Sequence, residues 1–447
     1  MAKERALVYG LAVAGQATAR ALIQRGYKVL AADDYPTDEG LSFASDMGID
    51  LFESPPLERM DRLAERVDLV VPSPGIPERH PIIASARRVG VPLRTELDLA
   101  FEWEQNRADG PRPMLAVTGT DGKTTTTLMA VAMIEASGQS AVAAGNTDVP
   151  LVSALDLDVD VFVVECASFR LAYLTCFRPE AAAWLNLAPD HLDWHTTLDS
   201  YAAAKARMWE FQNADDTAIG FVNDSTVMAH LKNAPARHLT FGSTGANYFV
   251  DEGWLVGPGG RLAQIASMSR SLPHDITNAL AASALTLEAG VSTPEAIADA
   301  LANFAGVAHR ISLVGDYDGV QWYDDSKATT PHAALTAIRG FSSVVLIAGG
   351  RNKNLDLAAM AGEPSRMRGV VAIGDAADEI AAAFDGVCTV VTALSMDEAV
   401  EAAGRLAHND DVVLLSPGCT SYDWYGGYSE RGDDFVACVH ERFGKGR

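Results

Sequence analysis

Leu115-Ala-Val-Thr-Gly-Thr-Asp-Gly-Lys-Thr-Thr-Thr-Thr127 decides how the rest of the chain is read. A short apolar run, residues 115–117, leads into it, and an apolar stretch with helical spacing, residues 128–137, leads out. A strand that turns through glycines into a helix is the setting of a phosphate-binding loop. Glycines let backbone N–H groups converge on phosphate oxygens, and the helix N-terminus adds partial positive charge. Lys123 adds a full charge, and the Thr124 hydroxyl can hold Mg2+. Val117 stands where the general pattern has glycine. The competing reading is a glycine turn with a solvated lysine.

Upstream, residues 6–9 read as a strand, 10–15 as a glycine turn and 16–25 as a helix. A second strand, 27–32, ends on Asp33 and Asp34, and a third, 67–71, is stopped by Pro72-Ser73-Pro74-Gly75. Residues 106–113 are polar and proline-rich, a loop. Downstream, strands at 160–164 and 181–187 end on Glu165 and on Ala188-Pro-Asp-His-Leu-Asp-Trp-His195, with helices at 200–211 and 276–289. Residues 241–260, rich in glycine and aromatics, read as short strands and turns. Buried-strand runs at 344–347, 370–373 and 412–415 each end in a glycine or proline turn. Strands alternating with helices predict an α/β protein with parallel sheets, whose sites lie at the carboxyl ends of strands. The expected domains are 1–94, 95–307 and 308–447.

Composition narrows the function classes. The 447 residues are 48% hydrophobic and 21% charged, enough for ordinary cores. A net charge of −24 argues against nucleic-acid or membrane-surface binding, since a phosphate polymer would be repelled. The five cysteines form no CxxC pair, which fits a reducing compartment. No signal-peptide core and no membrane-length apolar run occur, so a cytoplasmic protein is expected.

Other residues carry two readings each. Gly10-Leu-Ala-Val-Ala-Gly15 has Ala12 where a dinucleotide fingerprint has glycine, so it is either a plain strand–helix turn or a nucleotide site in another pose. Glu165 and His191, at strand ends beside the lysine loop, suit a divalent cation; taken singly they are a surface acid and a structural histidine. Lys205, in an alanine-rich helix, reads by itself as solvent-facing. Asp190, Asp193 and Asp199 give no metal-ligand spacing. Asp324-Asp-Ser-Lys-Ala-Thr329 and Ser416-Pro-Gly-Cys-Thr-Ser421 could bind a small dicarboxylate, or be ordinary turns.

Together these motifs resemble the Mur ligase family along nearly the whole chain. The order is that family's: GLxxxG at Gly10, SPGI at Ser73, TGTxGKTT at Thr118, GN at Gly145, Glu165, DHLD at Asp190, YxxAK at Tyr201, HR at His309, DSKAT at Asp325, GG..K at Gly349 and SPxxxS at Ser416. The resemblance implies a Rossmann-like N-terminal domain for a UDP moiety, a central P-loop ATPase-type domain and a Rossmann-like C-terminal domain. It implies a monomeric ATP-dependent ligase that phosphorylates a carboxylate and lets an amine attack the acyl phosphate. The short opening resembles the members that add D-glutamate to UDP-N-acetylmuramoyl-L-alanine; a related ligase taking L-glutamate or another amino acid is the alternative within the family. Folylpolyglutamate synthases resemble only the later parts.

Carried over, Gly119, Thr120, Asp121, Gly122, Lys123, Thr124 and Thr125 would surround ATP phosphates, with Asn278, Arg310 and Asp325 completing the ATP site. Thr124, Glu165, His191 and Lys205 would serve Mg2+ or Mn2+, with Lys205 carbamylated by CO2; Lys123, Glu165, His191 and Lys205 form the catalytic set. Asn146, His191, Ser73 and Asp33 or Asp34 would contact the UDP substrate. Lys327, Thr329, Lys353, Ser421, Tyr422 and Tyr428 would receive the amino acid. Three stretches depart from the pattern: Ala167 and Arg170 in Glu165-Cys-Ala-Ser-Phe-Arg170, Asp275 in His274-Asp-Ile-Thr-Asn278, and Thr330 after DSKAT. Outside the family, the rivals are an NAD-dependent oxidoreductase, opposed by Ala12, a P-loop switch or kinase, opposed by Val117, and a pure binding module.

Overall fold

The computed structural model describes residues 4–192 and 194–444. Three separate sheets are present among these residues. The first is built from β1 (Arg5–Tyr9), β2 (Lys28–Asp33), β3 (Asp50–Glu53) and β4 (Leu69–Pro72), in the order β3-β2-β1-β4 with every pair parallel. The second contains β5 (Met114–Thr118), β6 (Ala141–Gly145), β7 (Val161–Glu165), β8 (Ala181–Trp184), β9 (Thr217–Phe221), β10 (Arg237–Gly242), β11 (Tyr248–Asp251), β12 (Trp254–Gly257) and β13 (Gly260–Gln264). Their order is β13-β12-β11-β10-β9-β8-β5-β7-β6, antiparallel only at the β11–β12–β13 edge. The third contains β14 (Ser312–Tyr317), β15 (Val320–Asp324), β16 (Val344–Gly349), β17 (Met367–Ile373), β18 (Thr389–Thr392) and β19 (Val412–Gly418), ordered β14-β15-β19-β16-β17-β18. Only β14–β15 is antiparallel there.

The chain divides into two compact units, Met1–Ser271 with Asp275–Phe304, and Leu272–His274 with Ala305–Arg447. The first two sheets lie in the first unit. Parallel sheets are covered on both faces, so their strands read as unbroken apolar runs. β5, β7, β8 and β16 are buried at every residue, and these were the runs visible in the sequence. No helix among the described residues is long and apolar enough to cross a membrane.

Helix starts differ most from expectation. The helix after the glycine loop 118–122 begins at Lys123, five residues ahead of its apolar stretch. The threonine run conceals this start, because β-branched residues weaken the helix signal. The first helix begins at Val13, inside the expected turn. Gly15 is therefore helical, and a Cβ there would lie 1.9 Å from the Gly10 carbonyl oxygen. That glycine serves close packing of helix on strand, the role of the third glycine in a fingerprint. The helix Glu96–Gln105 was not anticipated; a capping box of Thr95 and Asp98 starts it.

Candidate functional site

In the first unit, β8, β5, β7 and β6 are neighbours, so the residues leaving their carboxyl ends gather along one edge. They are Asn186, the loop 118–122, Glu165 and Asn146. The loop is shaped by two demands. Gly122 has φ 83°, and a Cβ there would stand 2.5 Å from Asn278 Oδ1, so only glycine fits against that side chain. Asn186 then splints the loop: its Oδ1 accepts from the N–H of Thr120 (3.0 Å) and Asp121 (2.9 Å), and its Nδ2 donates to the Asp121 carbonyl (3.1 Å). Lys123 Nζ donates back to the carbonyls of Gly119 (3.0 Å) and Thr120 (2.8 Å). Thr124 is half-buried and Thr125 buried in the first helical turn.

Lys205 is 1% exposed, which overturns the solvent-facing reading. Its Nζ donates to Gly119 O at 2.7 Å and lies 4.5 Å from the Tyr201 ring. Burial, and then the like charge of Lys123, hold its pKa well below the ordinary lysine range, against the pull of Asp190 and Asp121.

Glu165 is 3% exposed. Asn146 Nδ2 donates to its Oε1 at 2.9 Å, while Oε2 is buried with no hydrogen-bond partner in the protein. A bare carboxylate oxygen is costly to bury, and a cation would satisfy it. Among the described residues no group of three or more His, Cys, Asp or Glu side chains is placed to hold a metal. Any cation here would draw on hydroxyl and phosphate oxygens besides Glu165. His191 does not leave the strand end directly. It sits further along, in a left-handed turn (φ 52°), with Nε2 3.3 Å from Asp190 Oδ2 and its ring edge-on to Phe169. Asp193 lies outside the described residues.

At the end of the first sheet, Asp33 accepts from Leu11 N–H (2.7 Å) and Asp34 from Tyr9 Oη (2.7 Å), with His80 Nε2 at 2.8 Å. Ser73 Oγ donates to Gly10 O at 2.6 Å. These groups pin the first turn. Ser73 also lines a small cavity with Pro74, Glu96, Phe169 and Arg170, and Arg170 Nε in turn reaches Asn146 Oδ1 at 3.5 Å.

In the second unit, Asp325 is 1% exposed and accepts from Ser416 Oγ at 2.7 Å. Burial pushes its pKa up to about 7, opposed chiefly by Arg310. Lys327 Nζ lies 5.1 Å from the Tyr428 ring, and Ser326 Oγ donates to Tyr428 O at 2.8 Å. Ser421 is buried and Thr329 half-buried, whereas Lys353 and Tyr422 stand exposed. Paired backbone bonds between Arg351 and Thr420 tie the loops after β16 and β19 together.

Sequence reasoning missed Asn186, Glu96 and Arg431. Arg431 is 1% exposed and donates to Ser326 Oγ (2.9 Å), Ser326 O (2.9 Å) and Cys419 O (3.1 Å), so one guanidinium holds two loops. Nothing in its neighbours marks it as buried. Three of the four departures from the family pattern, Asp275, Thr330 and Arg170, have local partners. Asp275 pairs with Arg270 at 3.4 Å, Thr330 caps the helix Pro331–Arg339, and Arg170 pairs with Glu96 at 3.0 Å. Nothing in the structure explains Ala167.

Comparison with known proteins adds the following. A model of the Mur ligase middle domain matches residues 117–286, and one of the Mur ligase glutamate ligase domain matches residues 309–419. A UDP-N-acetylmuramoylalanine–D-glutamate ligase of Frankia casuarinae is 41% identical, covering 98% of this chain and 94% of its own. The enzyme of that name from Geobacillus kaustophilus is 35% identical, covering 98% and 97%. Among solved structures, the MurF ligase of Thermotoga maritima in complex with ADP aligns with a TM-score of 0.60 at 17% identity, over 85% of this chain and 95% of that one. The UDP-N-acetylmuramate–alanine ligase of the same organism aligns with a TM-score of 0.59 at 19% identity, over 100% of both. These two likenesses concern the fold.

Proposed function

Because this chain belongs to the Mur ligase family, we propose that it joins D-glutamate to UDP-N-acetylmuramoyl-L-alanine with hydrolysis of ATP to ADP and phosphate. One observation carries the reaction class: a phosphate loop with a buried second lysine, Lys205, hydrogen-bonded to the loop itself. The choice of substrates rests on the full-length likeness to relatives named for that reaction.

A carboxylate is a poor electrophile, and transfer of the ATP γ-phosphoryl group makes it an acyl phosphate with a good leaving group. The D-glutamate amine attacks the acyl carbon, a tetrahedral intermediate forms, and phosphate departs as the amide closes. Lys123 would exchange its two loop carbonyls for phosphoryl oxygens and neutralise charge there. Glu165, through Oε2, and Thr124 are the groups that would hold Mg2+, which supplies charge neutralisation on the transferred phosphoryl group. Asn278 packs against the loop at Gly122 and is assigned to ATP. Asn146, His191 and Ser73 are assigned to the nucleotide-linked substrate.

Lys205 is proposed to be carbamylated. Carbamylation needs a neutral amine, and burial, by lowering the pKa of Lys205 well below the ordinary lysine range, favours that form. The amine attacks CO2 and loses a proton, and an anion replaces a potential cation beside Lys123. In the second unit, Lys327, Thr329, Lys353, Ser421, Tyr422 and Tyr428 are assigned to glutamate, and Arg310 and Asp325 to the nucleotide. The reading implies a monomer acting in the cytoplasm.

The test is phosphate release from ATP with UDP-N-acetylmuramoyl-L-alanine, with D-glutamate and L-glutamate in separate reactions. Release with D-glutamate and an amide product by mass spectrometry is expected. Release with L-glutamate alone would keep the mechanism and replace the substrate. Release with neither, from folded protein that binds ATP, would overturn the assignment.

A further inference from the structure

Glu165 is held by a chain of side chains that begins far from the phosphate loop. Glu96, the first residue of its helix, accepts from Val152 N–H (2.9 Å) and from Arg170 Nη1 (3.0 Å). Arg170 Nε reaches Asn146 Oδ1 at 3.5 Å, a long contact. Asn146 Nδ2 then donates to Glu165 Oε1, and Asn146 N–H to the Glu165 carbonyl at 2.8 Å. Glu96 and Arg170 are 5% and 8% exposed.

We propose that Glu96 and Arg170 are positioning residues whose ion pair orients the Asn146 amide, and through it turns Oε2 of Glu165 toward the cation that accompanies the nucleotide. The proposal rests on the cation assignment above. An amide has two ends of nearly equal shape, and its orientation is set by its partners. The guanidinium can only donate, so it keeps Oδ1 on its own side and leaves Nδ2 for the carboxylate. A buried ion pair is weak evidence for stability, since well-packed apolar residues often do as well. Its planar fork does something a lysine cannot: one nitrogen meets Glu96 while another faces Asn146. Groups that orient a metal ligand commonly change metal affinity by about 10- to 100-fold when altered.

The test uses the full chain with ADP and Mn2+, reading free Mn2+ by electron paramagnetic resonance alongside thermal melting. Arg170→Lys keeps a cation for Glu96 but loses the fork. It should melt close to the parent and bind Mn2+ roughly tenfold more weakly. Asn146→Ala should lose a similar factor, and the double variant no more than either single one, because both act through one chain. If Arg170→Lys fails to fold, Glu96→Gln/Arg170→Met removes both charges and should show the same loss. Parent-like Mn2+ affinity in these variants, with affinity lost in Glu165→Gln, would overturn the positioning role alone. Parent-like affinity in Glu165→Gln would overturn the cation assignment, and the proposal with it.

Discussion

Replacing Asp325 with asparagine should change how stability depends on pH in the second unit. The carboxyl is buried, and its pKa stands at about 7 against an ordinary 3.8. Between those values the folded protein keeps a proton that the unfolded chain has lost. Stability from this group is therefore full below pH ~4, falls as pH rises toward 7, and is level above. The span of about three pKa units corresponds to roughly 4 kcal/mol in all. Most of that lies in an acidic range close to the sequence pI of 4.7, where solubility is poor. The accessible window, from about pH 5.5 to about pH 8, holds roughly 2 kcal/mol of it. Asparagine resembles the neutral acid in shape and does not titrate. The stability difference, Asp325→Asn minus parent, should thus grow by about 2 kcal/mol across that window, whatever its value at the acidic end. Global melts mix the two units, so the assay is hydrogen exchange at amides of β15 and β19, corrected for intrinsic rates. A difference that stays constant with pH would refute the reasoning, since Arg310 and Ser416 would then be holding Asp325 ionised throughout.

Lys123→Ala should lose at least a hundredfold in turnover with an unchanged melting temperature; near-parent turnover would remove the phosphate-loop assignment. Lys205→Ala should be nearly inactive and partly recovered by a short carboxylate such as acetate, with full activity refuting the carbamate. In CO2-free buffer Lys205→Met should be the more stable protein near neutral pH. A depressed lysine pKa destabilises the fold at low pH and is relieved as pH rises toward the ordinary value of 10.5, so the two melting curves should converge there. Lys327→Ala should chiefly raise the KM for glutamate; an effect confined to the KM for ATP would move that residue to the nucleotide.

What could be read from the sequence followed burial. β5, β7, β16 and β19 are apolar runs because both their faces are covered, and each was visible with its turn. β3 and β18 are edge strands of four residues with half-exposed patterns, and they left no such trace. Among the candidate site residues, the loop lysine and Glu165 were legible because chemistry and strand position coincide in the sequence. Lys205 was legible only through the family motif, because an alanine-rich helix gives no sign of which face is covered. Asn186 and Glu96 act on residues 65 and 74 positions away, respectively, on loops that meet only in the fold. No local pattern can register such a partner.

The lysine folded over its own loop also sets a condition on what may enter. Lys123 is latched by two carbonyl oxygens, and the loop beneath it is already splinted by Asn186. A newcomer that offers no oxygens in exchange leaves the latch shut, because the ammonium would surrender two bonds for none. Adenosine and ATP share the same base and sugar, yet on the proposed reading only ATP would make the swap. On that reading, the loop would sort its visitors by their phosphates before any base contact is made.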